Sequence, residues 1–189
     1  MKRIVIFASG SGSNAENIIS YFKKSKNIVV THVLSNNKKA KVLERCKRLK
    51  IQASCFTKHS LFKEDTILNF LLEETDFIVL AGFLLRIPEK IVDAFPNKII
   101  NIHPALLPKY GGKGMYGMHI HRAVKENNEK ETGITIHYVN ENYDEGAIIF
   151  QAKTAIFPED SPESIADKIH DLEHKHFPKI IENILLSDE

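Results

Sequence analysis

The chain has 189 residues, 43% of them hydrophobic, and 26 basic against 24 acidic side chains leave a net charge of +2. That length and apolar content suit a single domain, 1–189, with one sizeable core. The balanced charge excludes the polyelectrolyte signature of a nucleic-acid binder. Two cysteines, Cys46 and Cys55, are too few for a disulfide framework or a cysteine zinc site, and no apolar run approaches membrane-spanning length. A cytoplasmic protein without nucleic-acid or membrane partners is expected.

Taken in order, apolar runs alternate with helix-periodic stretches. Ile4–Ala8 reads as a buried strand, then a Gly/Ser turn and a helix from about Asn14 to Lys24. Ile28–Leu34 is the second strand, followed by a basic helix from about Ala40 to Leu49. A short strand near Gln52–Phe56 leads to one helix from about Leu61 to Glu73. Phe77–Ala81, continuously apolar, is the kind of strand a parallel sheet buries on both faces. A short helix opens near Pro88, and Ile99–Ile102 is the fifth strand. A glycine-rich loop (Gly111, Gly112, Gly114, Gly117) precedes a helix from about His119 to Glu126. Thr132–Val139 and Ala147–Ile156 alternate enough to be late, antiparallel strands. Ser161-Pro162-Glu163-Ser164 opens a terminal helix reaching Leu186, with a capping serine and a first-turn proline. The pattern predicts an α/β fold, one doubly wound and mostly parallel sheet with a late antiparallel strand.

Two segments carry chemistry. Ser9-Gly10-Ser11-Gly12-Ser13-Asn14 lies between first strand and first helix, where glycines let backbone N–H groups approach an anion at a helix N-terminus. A dinucleotide fingerprint wants a third glycine, but position 15 is Ala, and Ser35-Asn36-Asn37 stands where its acidic residue belongs. The turn reads as a phosphate-monoester binder, or as a tight turn needing glycine for its backbone alone. In Asn101-Ile102-His103-Pro104, an amide and an imidazole share one face of a strand end. Two donors aimed at one spot suit a developing oxyanion, although a strand-end cap would use the same residues. Asp144, in the turn Asn142-Tyr143-Asp144-Glu145-Gly146, is either the carboxylate best placed to raise the His103 pKa or an ordinary turn residue, the reading its local sequence favours by itself. His137, on the strand leading into that turn, borders the same cleft or is merely packed.

The strings Asn101-Ile102-His103-Pro104-Ala105-Leu106-Leu107-Pro108-Lys109-Tyr110, Ala81-Gly82-Phe83 and Gly10-Ser11-Gly12-Ser13-Asn14 resemble those of the phosphoribosylglycinamide formyltransferases, in order and over nearly the whole chain. The resemblance implies a Rossmann-like fold, monomeric or homodimeric. It implies formyl transfer from 10-formyltetrahydrofolate to the amine of glycinamide ribonucleotide in purine biosynthesis, without a metal. It makes Asn101, His103 and Asp144 catalytic. It gives Ser11, Gly12, Ser13, Asn14, His170 and Glu173 to the ribonucleotide phosphate and ribose. Leu84, Leu85, Arg86 and Ile87, with Asn101 and the stretch Asn140, Glu141 to Asp144, become the folate pocket. Two departures stand out. Better-known bacterial members read Met-Arg-Ile-Leu after the Ala-Gly-Phe, where this chain has Leu84-Leu85-Arg86-Ile87, and the loop Gly111–Gly117 is longer here. The further basic residue expected to reach the substrates is Lys58 or Lys63.

Rival readings rest on other residues. His170-Asp171-Leu172-Glu173-His174 fits the H-x-x-E-H pattern of inverted zinc hydrolases, with Glu182 the one downstream candidate for a third ligand. His119 and His121 point about 200° apart on a helix and cannot ligate together. A 10-formyltetrahydrofolate hydrolase would use the same centre behind an N-terminal regulatory domain, and a methionyl-tRNA formyltransferase would add a C-terminal one. The chain starts at its first strand and stops at Glu189, so neither is expected.

Overall fold

Residues of the central strands are buried on alternating sides, which is what builds two helical layers around one sheet. In β1 (Lys2–Phe7), Ile4 and Ile6 enter one core and Val5 and Phe7 the other, and all four are fully buried. The computed structural model describes residues 1–187. After β1 come α1 (Ser13–Phe22), β2 (Ile28–Ser35), α2 (Lys41–Leu49), β3 (Gln52–Cys55), α3 (Lys58–Lys63) and α4 (Thr66–Glu74). Then follow β4 (Phe77–Leu80), α5 (Glu89–Ala94), β5 (Ile99–His103), α6 (Met118–Glu126), β6 (Glu131–Tyr138), β7 (Ile148–Ala155) and α7 (Pro162–Leu186).

The seven strands lie in the order β3-β2-β1-β4-β5-β6-β7. The pairs from β3 to β5 are parallel, and β6 runs antiparallel to both of its neighbours. The late antiparallel strand of the predicted fold is therefore β6. Residues of α1, α2, α6 and α7 fill the core on one face, and those of α3, α4 and α5 fill the other. From β1 the chain winds outward to β2 and β3, then returns to place β4 on the other flank. Such a switch point opens a crevice beyond the carboxyl ends of the two strands.

One element differs from the sequence reading. The expected helix Leu61–Glu73 is two helices, α3 and α4, separated at Glu64-Asp65. Thr57 starts α3 through a reciprocal capping box with Ser60, and Glu64 leaves the helical region (φ −114°, ψ 160°). The Lys90 ammonium donates to the Glu64 carbonyl at 2.5 Å and the Asp65 carboxylate at 2.8 Å, holding the break from α5. In α7, Ile165, Ile169, Glu173, Phe177, Ile181 and Leu185 recur every fourth residue and are buried. Glu173 is the one carboxylate in that apolar stripe, so it needs a partner.

Candidate active site

The amide and imidazole of β5 meet as the strand period requires. Ile100 and Ile102 enter the core, while Asn101 and His103 project from the opposite face at the carboxyl end of the strand. The antiparallel register sets His137 of β6 directly across from Asn101, and Thr135 across from His103. His137 is 2% exposed. Its Nδ1 lies 2.8 Å from the Tyr138 carbonyl and therefore carries the proton, so Nε2 accepts from the Asn101 amide at 3.1 Å. The Thr135 hydroxyl donates to the Ala105 carbonyl (2.7 Å) and accepts from the Leu107 N–H (3.0 Å), fixing the loop after His103.

Asp144 completes the centre from the β6–β7 turn. A Cβ on Gly146 would sit 1.7 Å from the Tyr138 carbonyl oxygen, so only glycine lets this turn close. Asp144 adopts a left-handed backbone (φ 57°), a conformation stored at a few sites where the surroundings enforce it. Its Oδ1 lies 3.4 Å from Asn101 Nδ2, 3.5 Å from His103 Nδ1 and 3.6 Å from His137 Nε2, and its Oδ2 accepts from the Gly112 N–H at 2.9 Å. His103 Nε2 donates to the carbonyl of Tyr110 at 2.7 Å, a second non-glycine residue with positive φ (58°).

The charge state of His103 differs from the sequence expectation. Burial pushes its pKa down. The Asp144 carboxylate and the Tyr110 carbonyl pull it up, and burial outweighs them, so the value lies below the ordinary 6.5. Asp144 acts in the expected sense without reversing the balance. The Asp144 carboxyl is itself pushed up by burial, yet its contacts with His137, His103 and the Gly112 N–H hold it below the usual range. The centre thus pairs a neutral imidazole with an ionised carboxylate.

A cleft of about 760 Å³ runs from this centre to the turn after β1. Ser11, Gly12, Ser13 and Asn14 line its far end with His170 and Glu173 of α7. Gly12 caps α1 in the left-handed region (φ 73°), and a Cβ there would meet Val42 Cγ2 at 2.3 Å. The glycine is thus demanded by the backbone, and no side chain occupies the first N–H groups of α1. Asn14 Nδ2 donates to Glu173 Oε2 at 2.8 Å, while Asn14 Oδ1 is buried without a partner among the described residues. His170 Nδ1 lies 3.3 Å from the same carboxylate oxygen, and that bond raises the His170 pKa. Ser9, the first residue of that turn, ties the β1 and β4 loops. Its Oγ accepts from the Leu84 N–H at 3.0 Å and donates to Asn36 Oδ1 at 2.7 Å.

A smaller recess of about 50 Å³ opens off the centre. Leu85, Arg86 and Ile87 form one wall and Asn140, Tyr143 and Asp144 the other, with Asn101 and His137 at its floor. Leu84 lines the large cleft instead, and Glu141 contributes its carbonyl, which accepts from the Arg86 guanidinium at 3.0 Å. The displaced arginine therefore clamps the two walls together. Neither Lys58 nor Lys63 lines the cleft; both sit on α3. Lining residues that sequence reading missed include Lys113, Asp167 and His121, the last 5% exposed and, among the described residues, with Nδ1 unpartnered. For the zinc pattern, Glu173 is engaged by Asn14 and His170, and among the described residues no three His, Cys, Asp or Glu side chains gather as metal ligands.

Comparison with known proteins gives this geometry a family. The formyl transferase profile matches residues 2–181. A phosphoribosylglycinamide formyltransferase of Bacillus subtilis is 36% identical over 191 residues, covering 98% of this chain and 95% of that protein. A chloroplastic enzyme of the same name from Arabidopsis thaliana is 37% identical over 187 residues; the chain spans 95% of itself and 64% of that longer protein. The crystal structure of phosphoribosylglycinamide formyltransferase from Bacillus halodurans superposes with a TM-score of 0.87 at 35% identity, covering 100% of this chain and 97% of that one. With a profile match over nearly its full length and relatives of this similarity, the chain belongs to the formyl transferase family.

Proposed function

We propose that the chain moves the formyl group of 10-formyltetrahydrofolate to the amine of phosphoribosylglycinamide, giving formylglycinamide ribonucleotide and tetrahydrofolate in purine biosynthesis. The observation that carries this reading is the convergence of Asn101, His103 and Asp144 where the large cleft and the small recess meet. The recess, with apolar side chains from Leu85, Ile87 and Val139 beside polar groups and one carboxylate, suits the inner end of a pterin, and the cleft leads from it to the open N-terminus of α1, which suits a phosphate. The two substrates would then meet end to end at the catalytic trio, which supplies the advantage of proximity.

The chain's own groups have distinct tasks. Asn101, oriented by His137, offers an N–H to the formyl oxygen as the carbon becomes tetrahedral. A preorganised donor of this kind contributes about 3–4 kcal/mol to the transition state. His103 begins neutral, so it can take the proton that the amine sheds as its new C–N bond forms. The imidazolium faces the new oxyanion and Asp144 together, and both favour its charge. The same proton then leaves with N10 as the old C–N bond breaks, restoring neutral His103. The side-chain contacts of Asp144 to Asn101 and His103, at 3.4 and 3.5 Å, leave room for both groups to turn toward substrate.

The test is an absorbance assay of tetrahydrofolate formation with and without glycinamide ribonucleotide. Product formation should require the ribonucleotide and match its formylation one for one. Equal turnover in its absence would identify a hydrolase and sink the transferase reading.

A further inference from the structure

The cleft that would receive a phosphate dianion carries three carboxylates, Asp144, Asp167 and Glu173. Its histidines do little to offset them. His103 and His121 are held toward the neutral form by burial, and the charge favoured on His170 is matched to Glu173. Arg45, whose guanidinium donates to the Ser11 carbonyl at 2.8 Å, is paired with Glu16. The permanent cation that remains on the lining is Lys113, and among the described residues its ammonium forms no ion pair or hydrogen bond.

The backbone around Lys113 is held in place from the catalytic side. Gly112 and Gly114 flank it with φ of 93° and 91°, a conformation that favours glycine, and the Gly112 N–H is bonded to Asp144 at 2.9 Å. An unpaired lysine tethered one residue from the catalytic carboxylate, in an otherwise acidic cleft, is a cation waiting for an anion. We propose that Lys113 binds the phosphate of the ribonucleotide from the loop side, opposite the α1 N-terminus. The inference rests on the transferase reading for the identity of the ribonucleotide. The carboxylates of a folate tail are the other anions at hand, but Lys113 shares its cavity with the Gly10–Asn14 turn and takes no part in the recess beside Leu85 and Asn140.

Steady-state kinetics on Lys113→Met and Lys113→Arg test the assignment. For Lys113→Met, KM for the ribonucleotide should rise roughly tenfold while kcat stays within about threefold and KM for the folate is unchanged. Lys113→Arg should recover most of the loss. Inorganic phosphate, used as a probe in titration calorimetry, should bind Lys113→Met more weakly than the parent by a similar factor, and this readout needs no turnover. An unchanged ribonucleotide KM, a shift confined to the folate, or a fall in kcat alone would each overturn the proposal. Loss of acceptor dependence in the parent protein would instead overturn the transferase reading, leaving the phosphate titration to judge Lys113.

Discussion

Three side-chain nitrogens crowd one oxygen at the centre of this molecule: Asn101 Nδ2, which carries the protons, and His103 Nδ1 and His137 Nε2, which do not, lie 3.4–3.6 Å from Asp144 Oδ1. None of these contacts is short enough to be strong, so a substrate oxygen competes for the Asn101 N–H at little cost. Asn101→Ala and His103→Ala should each lower kcat by roughly 10²–10³ with the protein still folded at the assay temperature, and the double variant should lose less than the product of the two. Retained kcat in either variant would exclude that side chain from the reaction. The charge balance makes a separate claim. His103 should titrate below 6.5 in the free protein, and Asp144→Asn, by removing an upward pull, should lower it further. A ring-proton NMR titration that did not move would remove Asp144 from this role. Asn101 and His103 were legible because strand period alone puts i and i+2 on one face. His137 was only half legible, since its partner is set by the β5–β6 register, which no local pattern encodes. The direction of the His103 shift depends on depth of burial, which a sequence does not give.

At the scale of elements, capping chemistry was the readable part. Ser161 and Pro162 mark the start of α7, and the Ser161 hydroxyl indeed accepts from the Ser164 N–H at 3.1 Å. The α3–α4 break was missed because apolar spacing continues across it, while the Lys90 tether that holds it comes from a distant helix. Asp160, just before α7, makes a prediction of its own. Its hydrogen bond with Lys168, helped by the Phe157 N–H and Ser164, holds the carboxyl down to about 2. A carboxyl depressed below its unfolded value of 3.8 stabilises the fold above that pH, and the contribution is lost as pH falls toward 2. Asp160→Asn should therefore lower Tm at pH 7, with the gap to the parent closing as melts are repeated from pH 4 to 2; a gap constant over that window would refute the linkage. In α1, Gly12→Ala combines a left-handed φ with a contact of 2.3 Å to Val42. It should cost about 1–3 kcal/mol in urea unfolding, and a neutral result would mean that α1 and α2 slide apart readily.

At the scale of the whole molecule, the cleft lies where segments far apart in the chain come together. The loops after β1, β4 and β5, the Asp144 turn and α7 all contribute to it. α1 and α7 share one core on one face of the sheet, so a ligand in the cleft adds to that packing a bridge between the first turn and the last helix. Asn17 already donates to the His174 carbonyl at 2.9 Å and Tyr21 to Glu182 at 2.6 Å. The link inside the cleft, Asn14 to Glu173, joins residues 159 apart in sequence and is half satisfied, since among the described residues Asn14 Oδ1 has no partner. Binding that supplies partners at this junction should stabilise the fold as a unit and not merely order a loop. At a ligand concentration one hundredfold above Kd, mass action gives about 2.7 kcal/mol. For a chain of this size, that corresponds to a rise in Tm of about 5–10 °C. Differential scanning calorimetry with glycinamide ribonucleotide should show the whole transition move by that amount. Glu173→Gln should shrink the shift, because the carboxylate at the junction is lost. A shift of the parent confined to a minor early transition would show that the ribonucleotide orders only part of the chain, and that the cleft does not couple its two ends.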